Sequence, residues 1–158
     1  MKKICVFCGA SSGANKSYQQ LAENLGDWLV KKGFGLVYGG GHTGLMGILA
    51  DQVLKRGGYV VGVIPEGLVE KEAAHPAVQE LHVVNTMHER KFLMASKADG
   101  FLALPGGFGT LDELNEIITW AQPGHHQKPI GIVHANGFYA RFFKFIDHCS
   151  EQGFIQSR

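Results

Sequence analysis

Two glycine clusters bring together the residue types that could do chemistry in this chain. One is Pro105-Gly106-Gly107-Phe108-Gly109-Thr110. Its three glycines leave backbone N–H groups uncovered where a helix is expected to begin. Unpaired donors and the helix dipole favour an anion at such a point, and the Thr110 hydroxyl adds another donor. No Gly-Lys-Ser/Thr follows, so the loop is not the P-loop of a triphosphate site. A single phosphate, with no lysine in the loop, points to a monophosphate. Thr110-x-x-Glu113 also has capping-box spacing, and spacing alone favours the cap. A cap, however, does not require Pro-Gly-Gly-x-Gly in front of it. With a phosphate at the helix N-terminus, Glu113 is expected in the first turn, facing the same ligand.

The other cluster is Gly39-Gly40-Gly41-x-x-Gly44. It has the form of the dinucleotide fingerprint, with Glu66 at about the right distance for a ribose hydroxyl. It follows the second expected strand rather than the first, and a tight turn with close helix–sheet packing would use the same glycines. In a functional reading, backbone without Cβ at Gly40, Gly41 and Gly44 can approach an anion. Arg90-Lys91 reads either as a solvated helix face or as a cationic ligand contact. Thr86-x-x-Glu89 has capping-box spacing, and Glu116 lies one turn beyond Glu113. Ser11 and Ser12 end the first strand and serve equally as turn residues. Cys5-x-x-Cys8 runs along a strand, which turns the two thiols to opposite faces as small buried residues. Adjacent His125-His126 side chains diverge, so they read as a polar loop and no metal site is expected. Trp120 and Phe108 could stack on a base or pack in the core, and Phe138, Phe142, Phe143 and Phe145 suit core or interface.

These residues must be positioned by elements that the pattern makes plain. Apolar runs at Lys3 to Cys8, Phe34 to Tyr38, Tyr59 to Ile64, Leu81 to Val84, Gly100 to Leu104 and Pro129 to Val133 predict six strands. Between them, helical spacing predicts helices opened by a Ser17-x-x-Gln20 capping box and stopped by Gly33, over Leu45 to Arg56, from Thr86 to about Lys97, over Thr110 to Ala121, and over Phe138 to Glu151. Glu66 to Ala77 reads as a polar loop with one helical turn. Strand–helix alternation implies an α/β fold: a doubly wound, Rossmann-like domain with a mainly parallel sheet flanked by helices. Both glycine clusters fall at strand carboxyl ends, where such folds bind ligands.

The 158 residues suit one nucleotide-binding domain, 1–158. Lys and Arg number 15 against 14 Asp and Glu, a net charge of +1, which gives no footprint for nucleic acid or an anionic membrane. The basic Met1-Lys2-Lys3 is followed by too short an apolar run for a signal peptide or a spanning helix. The three cysteines do not pair evenly, which fits a reducing compartment. The expected location is cytoplasmic.

Pro105-Gly-Gly-Phe-Gly-Thr-Leu-Asp-Glu113 resembles the PGGxGTxxE signature of the Lonely Guy family, the cytokinin riboside 5′-monophosphate phosphoribohydrolases often mislabelled lysine decarboxylases. Tyr38-Gly-Gly-Gly41 through Gly44-Leu-Met-Gly47, Met87-His-Glu-Arg-Lys91, Thr119-Trp-Ala-Gln122 and Lys128-Pro129 agree with it. The resemblance runs from about Ile4 to Ile155. It implies a Rossmann-like homodimer without metal or organic cofactor, acting on a nucleoside monophosphate. It assigns catalysis to Arg90 and Glu113 and substrate contacts to Glu72, Lys91, Gly107, Gly109, Thr110 and Thr119. Gly106, Phe108, Met87, Gly40, Gly41 and Gly44 lie in the shared motifs and join the expected binding residues. Asp112, Asn115 and Pro123-Gly-His-His126 depart from the family pattern near the base pocket.

Hydrolysis of an N-glycoside passes through a cationic ribose. Glu113 suits stabilising that cation or orienting water, and Arg90 suits holding phosphate or base as a fixed charge rather than as a proton donor. Three functions follow: hydrolysis of an N6-prenylated AMP, hydrolysis of AMP itself, or non-catalytic carriage of a phosphorylated ligand such as the molybdenum cofactor. The presence of both Arg90 and Glu113 argues against carriage alone.

Overall fold

A computed structural model describes residues 1–156. Six strands, β1 (Lys3–Phe7), β2 (Gly35–Tyr38), β3 (Val60–Pro65), β4 (Glu80–Val84), β5 (Gly100–Ala103) and β6 (Ile130–Ile132), form one sheet in the order β4-β3-β2-β1-β5-β6. Every pairing is parallel. Helices α1 (Lys16–Lys31), α2 (Gly44–Lys55), α3 (Met87–Lys97), α4 (Phe108–Ala121) and α5 (Ala140–Glu151) make the crossovers. This is the doubly wound α/β architecture that the alternation predicts.

Apolar side chains pack in two clusters. Val6, Leu36, Tyr38 and Val60 meet Leu29, Leu49 and Val53 in one; Phe7, Val37, Val61 and Phe101 meet Met94 and Ile117 in the other. Both cysteines of the Cys-x-x-Cys pair are buried, Cys8 in the first cluster and Cys5 in the second. Burial pushes both thiols above their ordinary pKa, which leaves them inert.

Two helix starts differ from the sequence reading. Asn15, not Ser17, caps α1: its Oδ1 accepts the Ser17 N–H at 2.9 Å, so Ser17 lies inside the helix. α4 starts at Phe108 with Gly107 as its cap, and no side chain caps it. Thr110 is therefore not the capping residue, and Glu113 lies in the second turn rather than the first. Thr86 does cap α3, its hydroxyl accepting the Glu89 N–H at 3.1 Å, while the Glu89 carboxylate accepts from the Asn85 N–H at 2.8 Å, one residue before the cap. Tyr139 of the terminal aromatic group is buried and donates to Leu104 O at 2.6 Å, whereas Phe145 is largely exposed.

Candidate active site at the strand carboxyl ends

The chain moves outward from β1 through β2, β3 and β4, then returns to lay β5 and β6 on the other side of β1. At this reversal the loops after β1 and β5 diverge and leave a crevice, the usual ligand position of the fold. A cavity of about 640 Å³ opens there. Its walls include Ser11 and Ser12 after β1, Met46 of α2, Glu72, Arg90 of α3, and Gly106, Gly107, Gly109, Thr110 and Glu113 after β5.

The loop after β5 supplies donors. Leu111 N–H is the first in α4 to bond back, to Gly107 O at 3.1 Å. The N–H groups of Phe108, Gly109 and Thr110 thus have no intrahelical carbonyl. α4 has no acidic residue in its first turn, so its positive end is not neutralised from within. Gly106 is needed for closeness: a Cβ there would stand 2.0 Å from Thr110 Oγ1 and 3.0 Å from Gly9 N. A Cβ on Gly107 or Gly109 would meet nothing within 4 Å, because both face open space.

Arg90 is not on a solvated helix face. Only 3% of it is exposed. Its Nε donates to Val63 O at 3.0 Å, and Nη2 donates to Gly39 O and to Glu72 Oε2, the last at 2.9 Å. These bonds fix the guanidinium from the sheet side, and among the described residues the hydrogen-bond partner of Nη1 is the Met87 sulfur at 3.9 Å. Gly39 makes the arrangement possible, since a Cβ there would stand 2.3 Å from Nη2. The glycine after β2 thus admits a side chain of this protein rather than a ligand.

Glu113 shares the cavity with Arg90 but, among the described residues, has no hydrogen-bond partner. Its pKa is pushed up to about 7, chiefly by burial and also by Glu72 and Asp112, against the pull of Arg90 and Lys91. A carboxyl group poised near neutrality in a cleft, beside a fixed cation, is a common mark of a catalytic position.

Other expected residues stand elsewhere. Lys91 Nζ pairs with Glu116 and with Asp112 Oδ2 at 3.1 Å, tying α3 to α4 outside the cavity wall. Thr119 bonds to Asn115 O within α4 and does not line the cavity. Phe108 is 94% exposed and also stands off the wall, while Trp120 packs on the second core cluster. Gly40, Gly41 and Gly44 pack against neighbouring chain: Gly44, at φ 56°, would bring a Cβ to 2.3 Å from Ala10 C. Glu66 is exposed and off the wall. His126 is bound to Ile117 O at 2.9 Å. The cavity wall also contains Tyr18, Thr43 and Lys71, which the motifs did not single out.

A six-stranded parallel sheet with a donor loop, a buried arginine and a buried carboxyl group around a cavity at its switch point defines a Rossmann-like α/β domain. Solved structures agree on the fold. A molybdenum cofactor binding protein from Rippkaea orientalis superposes with a TM-score of 0.71 at 22% identity, over 94% of this chain and 86% of that one. The Moco carrier protein of Chlamydomonas reinhardtii gives 0.71 at 21%, with the same coverage. The family model described as possible lysine decarboxylase matches residues 46–158. The rice (Oryza sativa subsp. japonica) cytokinin riboside 5′-monophosphate phosphoribohydrolase LOG is 51% identical over 98% of this chain. An Arabidopsis thaliana protein of the same activity name is 50% identical over 98%. This chain spans 64% of the rice protein's length and 71% of the Arabidopsis protein's. The chain belongs to the family of cytokinin riboside 5′-monophosphate phosphoribohydrolases.

Proposed function

We propose that this chain hydrolyses the N-glycosidic bond of an N6-prenylated adenosine 5′-monophosphate, releasing free base and ribose 5-phosphate. The observation that carries the reading is the pairing of Glu113, poised near neutral pH, with the fixed guanidinium of Arg90 in a cavity that ends at the donors of Gly107 to Thr110. In this reading the phosphate sits on the α4 N-terminus. Ionised Glu113 stabilises the cationic ribose or orients the attacking water, and Arg90 holds negative charge. Tyr18, Met46 and Phe138 give part of the wall an apolar character suited to a purine. The names of relatives at about half identity, cytokinin riboside 5′-monophosphate phosphoribohydrolases, support a cytokinin nucleotide over plain AMP.

Decarboxylation of lysine fits less well. Of the two lysines inside the shared motifs, Lys91 has its pKa raised by Glu116 and Asp112, and a charged amine cannot form the Schiff base that such chemistry needs, while Lys128 Nζ donates to Ala95 O at 2.7 Å and stands off the cavity wall. No helix among the described residues is long and apolar enough to cross a membrane. We take residues 1–158 as a single nucleotide-binding domain, acting as a cytoplasmic homodimer without a metal or organic cofactor. The exposed Phe92 and Phe108 favour self-association, and light scattering at micromolar concentration that gave only the monomer mass would remove that part.

The test is chromatography of free base after parallel incubation with N6-isopentenyl-AMP, AMP and N6-isopentenyladenosine. Release from the prenylated nucleotide well above AMP, with none from the riboside, is the expected result. Faster release from AMP would make the chain a general AMP nucleosidase. Binding without release from any of the three would make it a carrier.

A further inference from the structure

The segment that carries Glu72 is strained and pinned. Ala73, not a glycine, has φ 48°, in the left-handed region. Such a conformation is strained for a residue with a Cβ and persists only where its surroundings hold it. Here the hold is a short antiparallel bridge between Gly41 and Ala74. His42 N–H donates to Glu72 O and His75 N–H to Gly40 O, each at 2.9 Å. The strained residue thus lies between the carboxylate that grips Arg90 and the bridge that anchors it.

Beneath the bridge is a side-chain network outside the cavity. His75, only 3% exposed, places Nε2 at 2.8 Å from Asp51 Oδ1, and His42 Nε2 lies 2.9 Å from Asp51 Oδ2. The imidazoles are 4.1 Å apart. Three ligand atoms so close resemble a cation site, but the His75 tautomer opposes it. Its Nδ1 accepts the Ala77 N–H at 3.2 Å, so in the neutral ring the proton is on Nε2 and is given to Asp51. Ligation through Nε2 would move that proton to Nδ1, against the Ala77 N–H. The cluster is therefore a hydrogen-bonded clamp between α2 and the loop after β3.

We infer that His75 and Asp51 are positioning residues for Glu72: the clamp holds the strained turn against the loop after β2 and so keeps the carboxylate on the cavity wall. Arg90 is less dependent on it, because Val63 O and Gly39 O hold the guanidinium directly. Loosening the clamp therefore frees Glu72 while leaving Arg90 and Glu113 in place. The effect falls on ligand affinity rather than on the chemical step. The kinetic form of this claim rests on the proposed hydrolase activity; its structural form does not.

The experiment compares His75→Gln with His75→Asn in the full chain. The Gln side-chain amide reaches where Nε2 stands and keeps the bond to Asp51; the Asn side chain reaches only the Ala77 N–H. The loss of a hydrogen bond to a carboxylate should raise KM for the nucleotide about tenfold in His75→Asn, with kcat within about threefold, while His75→Gln stays near wild type. The Kd for AMP by calorimetry should follow the same order. Amide hydrogen exchange at His42, Ala73 and Ala74 should quicken in His75→Asn alone. Equal behaviour of the two variants, or a fall in kcat with KM unchanged, would overturn the assignment. Should the wild type hydrolyse nothing, the activity reading fails by itself, and AMP affinity and exchange still decide the clamp.

Discussion

Replacing Glu113 by glutamine should abolish turnover and, at alkaline pH, make the free protein more stable. The carboxyl pKa is about 7 in the folded chain, against an ordinary value of 4.5, and the main cause is burial. A folded-state pKa raised in this way means that folding favours the protonated form. Below pH 4.5 the group is neutral in both states and contributes no penalty. As the pH rises from 4.5 to 7 the unfolded chain ionises freely while the folded chain resists, and stability falls by up to about 1.4 kcal/mol per pH unit. Above pH 7 the accumulated cost is about 3 kcal/mol, an upper figure because one edge of the group meets the cavity. Glutamine has nearly the same shape and never ionises, so it escapes this cost. Urea denaturation of both proteins at pH 5, 6, 7 and 8 should give a gap that starts small and grows with pH. At pH 8 the variant should melt higher by roughly 6–12 °C for a chain of this size. The kcat/KM of the wild type should show the same group as an acid limb, falling about tenfold per pH unit below pH 7 because the ionised form acts. A constant gap, or a variant less stable than wild type at pH 8, would refute the burial argument. Full activity in the variant would refute the catalytic one.

Arg90→Lys should not rescue Arg90→Ala, because an ammonium cannot reach Val63 O, Gly39 O and Glu72 together; both should lose activity, and Arg90→Ala should destabilise by about 3 kcal/mol in urea, leaving Glu72 uncompensated. Gly106→Ala and Gly107→Ala should separate folding from binding. The first forces a methyl onto Thr110 and should cost about 1–3 kcal/mol in urea denaturation. The second meets nothing and should leave stability within about 0.5 kcal/mol while weakening AMP binding measured by calorimetry. Thr86→Ala removes the α3 cap and should lower stability by about 1 kcal/mol.

The sheet and its crossovers were legible because each strand is a short apolar run closed by glycine or proline, and each helix repeats its apolar residues at helical spacing. Helix starts were less legible, because Asn15, Ser17, Gly107 and Thr110 all suit a cap and only backbone geometry chooses among them. For α4 that choice matters: with Gly107 at the cap, Thr110 and Glu113 are free of capping duty and Glu113 turns to the cavity. Arg90 was legible as a motif residue, but its burial was not. Its partners Val63 and Gly39 lie 27 and 51 residues away, and local pattern holds no trace of them. The same distance hid the clamp, since Asp51 and His75 meet only once α2 and the loop after β3 are packed.

The glycines of this chain do two different jobs, and the difference separates fold from site. Gly39, Gly44 and Gly106 lack a Cβ because protein atoms already occupy its place: a guanidinium nitrogen, the Ala10 backbone and the Thr110 hydroxyl. Gly107 and Gly109 have no such neighbour, yet they stand at the start of α4 where a side chain would ordinarily be tolerated. Glycine is an ordinary N-cap residue at Gly107, but at Gly109, inside the first turn, it costs backbone entropy and packs nothing, so packing does not account for it. In the proposed reading, an anion at the uncovered N–H groups of the same turn accounts for it, because it needs the space that a Cβ would take. The buried guanidinium and the unpaired Glu113 face that space from the other walls, where one would stabilise negative charge and the other, once ionised, positive charge. A substrate carrying a phosphate at one end and a developing ribose cation beside it would meet both demands, which is why the two kinds of glycine support the proposed hydrolysis of a nucleoside monophosphate.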